Sequence, residues 1–346
     1  MRLRAAAAMR LRAAAAAAAL LACAACSSQG GPRDPGRVVQ ARPARTAPFS
    51  IPGRLYAVKA RTLYRFSGTR VTALTHGIAV MDPAISGDGS ELAFAQFGDQ
   101  ASTIMLTGSQ RMEPRALTPA TGPGGRLWAA EPAFAPDGRS LAFLTDRGKG
   151  GGPNDLAVWT VDLASRAARP LTRPFAYTGG DSDDVFRPRA EGELLFTTFL
   201  YEGDPPAPAA RLTWHSLRSG SETYLSPAGE RNFQPAPSPD GRFLAFIRAR
   251  SGGDDLEIVS LPPGPPAPGP PFLTQSATLL QAGVVARPVW APDGREIAFL
   301  MLRGGSFDLY VLKLAVDATG VHPAGPPVAL TNGSFFDADS RLAWSP

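Results

Sequence analysis

The stretch PVWAPDGREIAF, residues 288–299, decides the fold because it is not unique: PAISGDGSELAF begins at Pro83, PAFAPDGRSLAF at Pro132 and PAPSPDGRFLAF at Pro235. The copies start 49, 103 and 53 residues apart, so the long gap predicts one more between Pro132 and Pro235. A worn copy stands there, Phe186 to Phe196, which keeps Gly192 and the Leu-Phe strand, has lost the Pro-Asp, and reads as one residue shorter. In the copies at Pro132, Pro235 and Pro288 a short apolar strand runs into Pro-Asp-Gly. Proline fixes φ for the turn, the Asp carboxylate bonds nearby backbone, and Gly supplies φ > 0. An alternating Leu-Ala-Phe strand leaves the turn.

Each copy continues into a third strand, such as Asp308 to Leu312, and is expected to end on a fourth marked by Leu117-Thr118, Leu171-Thr172, Leu225-Ser226, Leu273-Thr274 or Leu330-Thr331. Four antiparallel strands per repeat of about 50 residues make a propeller blade, since one such sheet cannot bury both faces alone. Five copies lie between residues 82 and 331. Three strands precede them (Leu55 to Val58, Leu63 to Phe66, Val71 to Thr75), and Arg341 to Pro346 matches the first strand of a repeat. The expectation is an all-β, six-bladed propeller over residues 53–346, its last blade closed by strands from both ends of the repeat region.

The sentence PxWSPDGxxLAF, followed by a Leu-Tyr-Val strand and a Leu-Thr end, resembles the TolB-type propeller repeat over nearly all of residues 54–346. The resemblance implies a fold more than an activity, because similar blades occur in the periplasmic Tol-system protein, in prolyl-oligopeptidase-like enzymes and in other envelope proteins. The chain departs from the Tol protein in showing a lipobox and no obvious extra domain ahead of the propeller.

Residues 1–25 are a different material. Arg2, Arg4, Arg10 and Arg12 form a basic start, and Ala13 to Ala22 is apolar but too short to span a bilayer, as in a secretory signal. LLACAACSS, residues 20–28, resembles a bacterial lipobox, with cleavage before Cys23 or Cys26. Cys23 has Leu20 at minus three, and Cys26 has Ser-Ser after it. The alternative is a plain secretory signal. The only 2 cysteines of the chain fall here, so neither a disulfide framework nor a thiolate zinc site is expected in the body. Residues 26–52, rich in Pro and Gly without apolar period, read as a tether of roughly 30 Å as a coil. Neither Ala24 nor Ser27 is the Asp that retains envelope lipoproteins at an inner membrane, which points to the outer membrane.

Loss of the leader removes four of the 35 basic residues, taking the formal charge from +5 to about +1. With no basic run interleaved with aromatics after residue 50, no nucleic-acid partner is expected. No catalytic residue is assigned. A peptidase of the prolyl-oligopeptidase kind needs a Gly-x-Ser-x-Gly elbow after the propeller, and the nearest match, Gly138 to Ala142, falls within a repeat strand. Ser86-Gly87-Asp88-Gly89 reads as a turn. His76, His215 and His322 are far apart and read as surface or loop residues. Asp181, Asp183 and Asp184 offer oxygens to calcium but lack EF-hand spacing, and read as a solvated acidic loop. No cofactor or metal is expected.

Binding is expected on the face of the long loops, opposite the Pro-Asp-Gly turns. One residue per blade precedes the repeat proline, giving Asp82, Glu131, Val185, Gln234, Arg287 and Arg341 at the channel mouth. Acidic and basic members on opposite sides suit a polar ligand or a partner loop carrying both charges. The alternative is that they pair across a wet channel. Trp128, Phe175 and Tyr177 are the candidate aromatic rim. The reading is an envelope protein with a protein or polar-ligand partner, held to the membrane by a lipid. The alternative is an enzyme acting on a glycan or peptide through the channel, for which paired carboxylates of raised pKa would speak.

Overall fold

The computed structural model describes residues 50–122, 125–147, 156–173, 180–266, 272–281, 283–317 and 320–346. Cys23, Cys26, Phe175, Tyr177 and nearly all of the tether lie outside these residues.

The described residues form six antiparallel meanders, five of four strands and one of five, in which both Gly320–Pro323 and Val328–Ala329 pair with the third strand Ser306–Asp317; they are numbered here along the chain. Blade 1 consists of Ile51–Lys59, Thr62–Gly68 and Arg70–Ala73, with Ala343–Ser345 added as its innermost strand. The inner strands of blades 2 to 6 are Ala79–Ile85, Ala129–Phe134, Gly180–Phe186, Asn232–Pro237 and Val285–Trp290. The second strands are Glu91–Phe97, Ser140–Thr145, Glu193–Glu202, Phe243–Arg250 and Glu296–Arg303. Leu55 pairs with Trp344 and Tyr56 with Ala343, so the ring closes as the repeat count predicts.

The Leu-Ala-Phe sentence is explained by packing between blades. Successive side chains of a strand point to opposite faces. In blade 2, Leu92 and Phe94 pack toward blade 1, among Tyr56, Val58 and Leu63, while Ala93 and Ala95 pack toward Leu141 and Phe143 of blade 3. The rule repeats: Leu244 and Phe246 of blade 5 meet Trp214 of blade 4, whereas Ala245 and Ile247 meet Ile297 and Phe299 of blade 6. Blade 6 closes the circle, with Ala298 and Leu300 against Leu55 and Trp344. Six apolar clusters thus fill the six gaps between blades.

The turns behave as their chemistry dictates. Asp137, Asp240 and Asp293 accept hydrogen bonds from the backbone N–H two residues on, at 2.9–3.0 Å. Gly138, Gly241 and Gly294 have φ of 66–72°. Ser86-Gly87-Asp88-Gly89 is the same turn, with Asp88 accepting from Ser86 and Ser90. At the blade ends, the hydroxyls of Thr118, Thr172, Ser226 and Thr331 accept a backbone N–H of the third strand, from Ile104, Val158, Leu212 and Leu309.

Three expectations are corrected. In blade 5, Leu273-Thr274 lies in a 3-10 turn, Phe272–Gln275, and the fourth strand is Ala277–Gln281 beyond it. His215 is not a surface residue. It is buried in the third strand of blade 4, Ala207–Ser216, against Phe196 and 3.3 Å from Glu222, because strand alternation turns it inward. His76 is exposed, and His322 is exposed beside Asp317. The acidic stretch Asp181 to Asp184 is not a solvated loop. It is the inner strand of blade 4 and is buried.

Candidate functional site

The central channel is lined by the inner strands, and each of those in blades 2 to 6 carries a bulge. The register with the second strand shifts between Met81 and Ala84, Ala130 and Ala133, Ser182 and Val185, Phe233 and Ala236, and Ala286 and Val289. The first bulged residue is Asp82, Glu131, Asp183, Gln234 or Arg287, each with φ of 52–57°. Proline follows in four of the five, where a bulge tolerates its missing N–H. In blade 4 the ring residue is therefore Asp183 and not Val185, and Asp184 stands where the sisters have proline. The worn copy is one residue longer than the others rather than shorter: its turn bond spans Arg187 to Glu193, against Ser86 to Glu91 in blade 2.

The bulged residues are wired to one another. Each side chain accepts the backbone N–H of the ring residue in the next blade. Asp82 Oδ2 accepts from Glu131 at 3.3 Å, Glu131 Oε2 from Asp183, Asp183 Oδ2 from Gln234 at 3.3 Å, and Gln234 Oε1 from Arg287 at 2.6 Å. Arg287 donates to the carbonyls of Ala338 and Asp339, Ser340 Oγ accepts the Asp82 N–H, and Asp82 Oδ1 accepts the Arg341 N–H. The ring is continuous around the axis.

Two arginines reach across it. Arg341 of blade 1 bridges Glu131 Oε2 at 3.0 Å and Asp184 Oδ1 at 3.3 Å, and donates to the Asp184 carbonyl at 2.6 Å. Arg287 of blade 6 meets Asp183 Oδ1 at 2.5 Å. The expected ring residues Asp82, Glu131, Gln234, Arg287 and Arg341 are thus brought together, the first four within the inner strands and Arg341 just ahead of the closing strand Ala343–Ser345. Their charges are largely turned on one another.

Four carboxyls (Asp82, Glu131, Asp183, Asp184) face two guanidiniums. Burial, and then the Glu131 carboxylate, push Asp82 up to about 7 against the pull of Arg287 and Arg341. Burial pushes Asp184 up to about 8, against Arg341 and with help from Glu131. Asp183 is raised chiefly by burial. Burial works against the Arg287 and Arg341 charges, but the surrounding carboxylates outweigh it and raise both guanidiniums. Asp184 Oδ2 is buried without a hydrogen-bond partner. A group there gains by holding a proton, which makes its unpaired oxygen neutral.

Sequence reasoning missed Asp183 and Asp184 as channel residues because the proline that marks the position is absent. The signal that finds them is the strand pairing: Val185 faces Leu195 as Ala84 faces Ala93. On the rim, Trp128 is half-buried against Phe97, ring centroids 6.0 Å apart, with its backbone N–H on Asp146. The remaining acid, Asp181, accepts from the Thr172 and Thr198 hydroxyls. Among the described residues no group of three His, Cys, Asp or Glu side chains is placed to hold a metal ion.

A closed six-bladed ring with a bulged, proline-marked inner strand is a TolB-type β-propeller fold. It is similar to TolB from Acinetobacter baumannii, at 17% identity and a TM-score of 0.61 over 85% of this chain and 67% of that one. A TolB structure from Agrobacterium tumefaciens gives 18% identity and a TM-score of 0.58 over 85% of this chain and 94% of that one. In sequence, the uncharacterized peptidase YuxL of Bacillus subtilis (strain 168) is 25% identical over 210 residues, which is 53% of this chain and 31% of that protein. The chain thus spans about a third of the length of that curated relative. No family model matches the chain.

Proposed function

We propose that this protein is a non-catalytic binding module of the bacterial cell envelope, held on the periplasmic side by a lipid on Cys23 or Cys26 and raised from the membrane, with the outer membrane favoured, by the tether 26–52. Its partner is an envelope protein or a polar ligand, taken at the loop-rich face by the rim residues Trp128, Phe175 and Tyr177, with the channel ring as their support. The observation that carries this reading is the ring itself. Its carboxyls and guanidiniums are spent on the next blade's backbone and on each other, so it stiffens a platform. The TolB-type fold agrees with a platform for protein contact.

A second reading is an enzyme using the channel acids, favoured by the raised Asp82 and Asp184 and by the partial likeness to a named peptidase. Against it, both oxygens of Asp82 already accept backbone N–H groups, and Asp184 has no exposed surface. A substrate atom has no path to a proton held there without the ring opening.

The test is affinity capture from envelope extracts with the lipidated protein, its Cys23→Ala/Cys26→Ala double variant, and the rim variant Trp128→Ala/Phe175→Ala/Tyr177→Ala. Membrane retention is expected to be lost only in the first variant, and partner capture in the rim variant. A cysteine variant that stays membrane-bound after a high-salt wash sinks the anchor. Capture unchanged by the rim substitutions moves the site elsewhere.

A further inference from the structure

The turn face, opposite the loops, carries a groove of its own between the turns of blades 5 and 6. Its floor is apolar, with Trp290, Phe243, Pro239 and Pro292. It has a volume of about 270 Å³, room for one or two side chains. The groove exists because the two turns lie side by side: a side chain at Gly294 would touch Pro239.

Three arginines line it. Arg242 and Arg295 follow the Gly of the two Asp-Gly turns, and Arg189 comes from the lengthened turn of blade 4, with φ of 59°. That turn is clamped to blade 5. Arg187 donates to the Gly241 carbonyl at 2.8 Å, pairs with Glu193 at 2.9 Å and lies over the Trp214 ring. Gly241 comes so close to Pro188 that no side chain fits there. The extra residue in blade 4 therefore places Arg189 against the turns of its neighbours.

The charges do not cancel. Asp240 and Asp293 also line the groove, but each is turned into its own turn, Asp240 accepting from the Ser238 hydroxyl and the Arg242 N–H and Asp293 from the Arg295 N–H. Arg242 stands 4.0 Å from Asp240 with 71% of its side chain exposed, and pairs this open contribute little. The Arg189 and Arg295 side chains carry no ion pair among the described residues, and both are exposed. Guanidiniums around an apolar floor match carboxylates flanking an apolar side chain.

We propose that this groove binds an acidic peptide segment of a protein partner, an apolar residue seated between Phe243, Pro239, Pro292 and Trp290 with carboxylates on Arg189, Arg242 and Arg295. The site is independent of the loop-face reading and survives its failure.

Fluorescence anisotropy of a labelled Glu-Glu-Leu-Phe-Glu-Glu peptide with the full chain tests it. Binding is expected to weaken at least tenfold with the Gln-Gln-Leu-Phe-Gln-Gln peptide, at least tenfold in the Arg189→Glu/Arg242→Glu/Arg295→Glu variant, and steadily with salt. All three positions are exposed, so an unchanged melting temperature shows that the variant is folded. The rim variant, Trp128→Ala/Phe175→Ala/Tyr177→Ala, is expected to bind the peptide as the parent does. Equal binding of the two peptides, or parental binding by the triple Arg variant, overturns the proposal. So does displacement of the peptide by a short oligonucleotide more readily than by unlabelled peptide.

Discussion

Blade 4 and its sisters reach the same geometry by different chemistry. In blades 2, 3, 5 and 6 the bulge is made by Asp82-Pro83, Glu131-Pro132, Gln234-Pro235 and Arg287-Pro288, a charged or amide residue locked by the proline behind it. In blade 4 the bulge is Asp183-Asp184 and nothing in its own sequence locks it. The lock comes from across the channel, where Arg341 holds both the carboxylate and the carbonyl of Asp184. A local covalent constraint has been exchanged for a long-range electrostatic one. The exchange makes one blade dependent on the strand that closes the ring, and it adds a second pH-sensitive carboxyl, Asp184, to the one that blade 2 already holds in Asp82.

The largest effect expected from this difference is at Arg341. Arg341→Met removes the guanidinium and leaves Glu131 and Asp184 buried without their partner, which costs about 3–5 kcal/mol for a broken buried pair. Urea denaturation is expected to show that loss at pH 8. Adding Asp184→Asn should restore part of it at pH 9, where the Asp184 carboxyl would otherwise have to ionise without a partner or hold its proton against the solvent. Parental stability of the single variant would mean that blade 4 needs no support from blade 1.

The sequence shows the sister blades almost completely and blade 4 poorly, and the reason is physical. An Asp-Gly turn and the apolar strand that leaves it are local chemistry, so four copies and the closing strand Ala343–Ser345 can be read without neighbours. Blade 4 keeps the strand but not the turn, and its added residue hides the register by two positions, so Val185 stands in the reading where Asp183 stands in the ring. The position before the proline was legible. What it does there was not, since each ring side chain bonds the backbone of a residue about 50 positions on, in a blade whose placement only the closed ring supplies. His215 was misread for a similar cause: its burial depends on Phe196 in the strand beside it.

A smaller effect lies in the proton balance. Asp184 is raised to about 8 in the folded protein, whereas an unfolded Asp titrates near 4, at about 3.9. Between those values the folded state holds more protons than the unfolded one, so stability falls as pH rises through the window. One such group tilts the curve by at most about 1.4 kcal/mol per pH unit. Asp184→Asn is expected to match the parent near pH 4, to be more stable than it at pH 8 to 9, and to flatten the slope between. Asp82, raised to about 7, adds a slope of the same sign that ends about one unit earlier. A variant whose stability follows pH as steeply as the parent's would show that Asp184 is ionised throughout.

The smallest effect concerns the turns, where blade 4 has already given up what its sisters retain. Asp137 of blade 3 is exposed and accepts the Arg139 N–H at 2.9 Å, so Asp137→Ala loses one turn hydrogen bond and about 0.5–1.5 kcal/mol. Glu191, in the corresponding turn of blade 4, is exposed and holds no such bond among the described residues. That turn is instead anchored by Arg187 on Gly241 of blade 5 and by its pair with Glu193. Glu191→Ala is therefore expected to change stability by less than about 0.5 kcal/mol. Paired urea titrations of the two variants separate the accounts. If they lose equal amounts, the blade 4 turn carries a carboxylate bond equivalent to that of Asp137, and the division between a self-locked turn and a neighbour-locked one disappears.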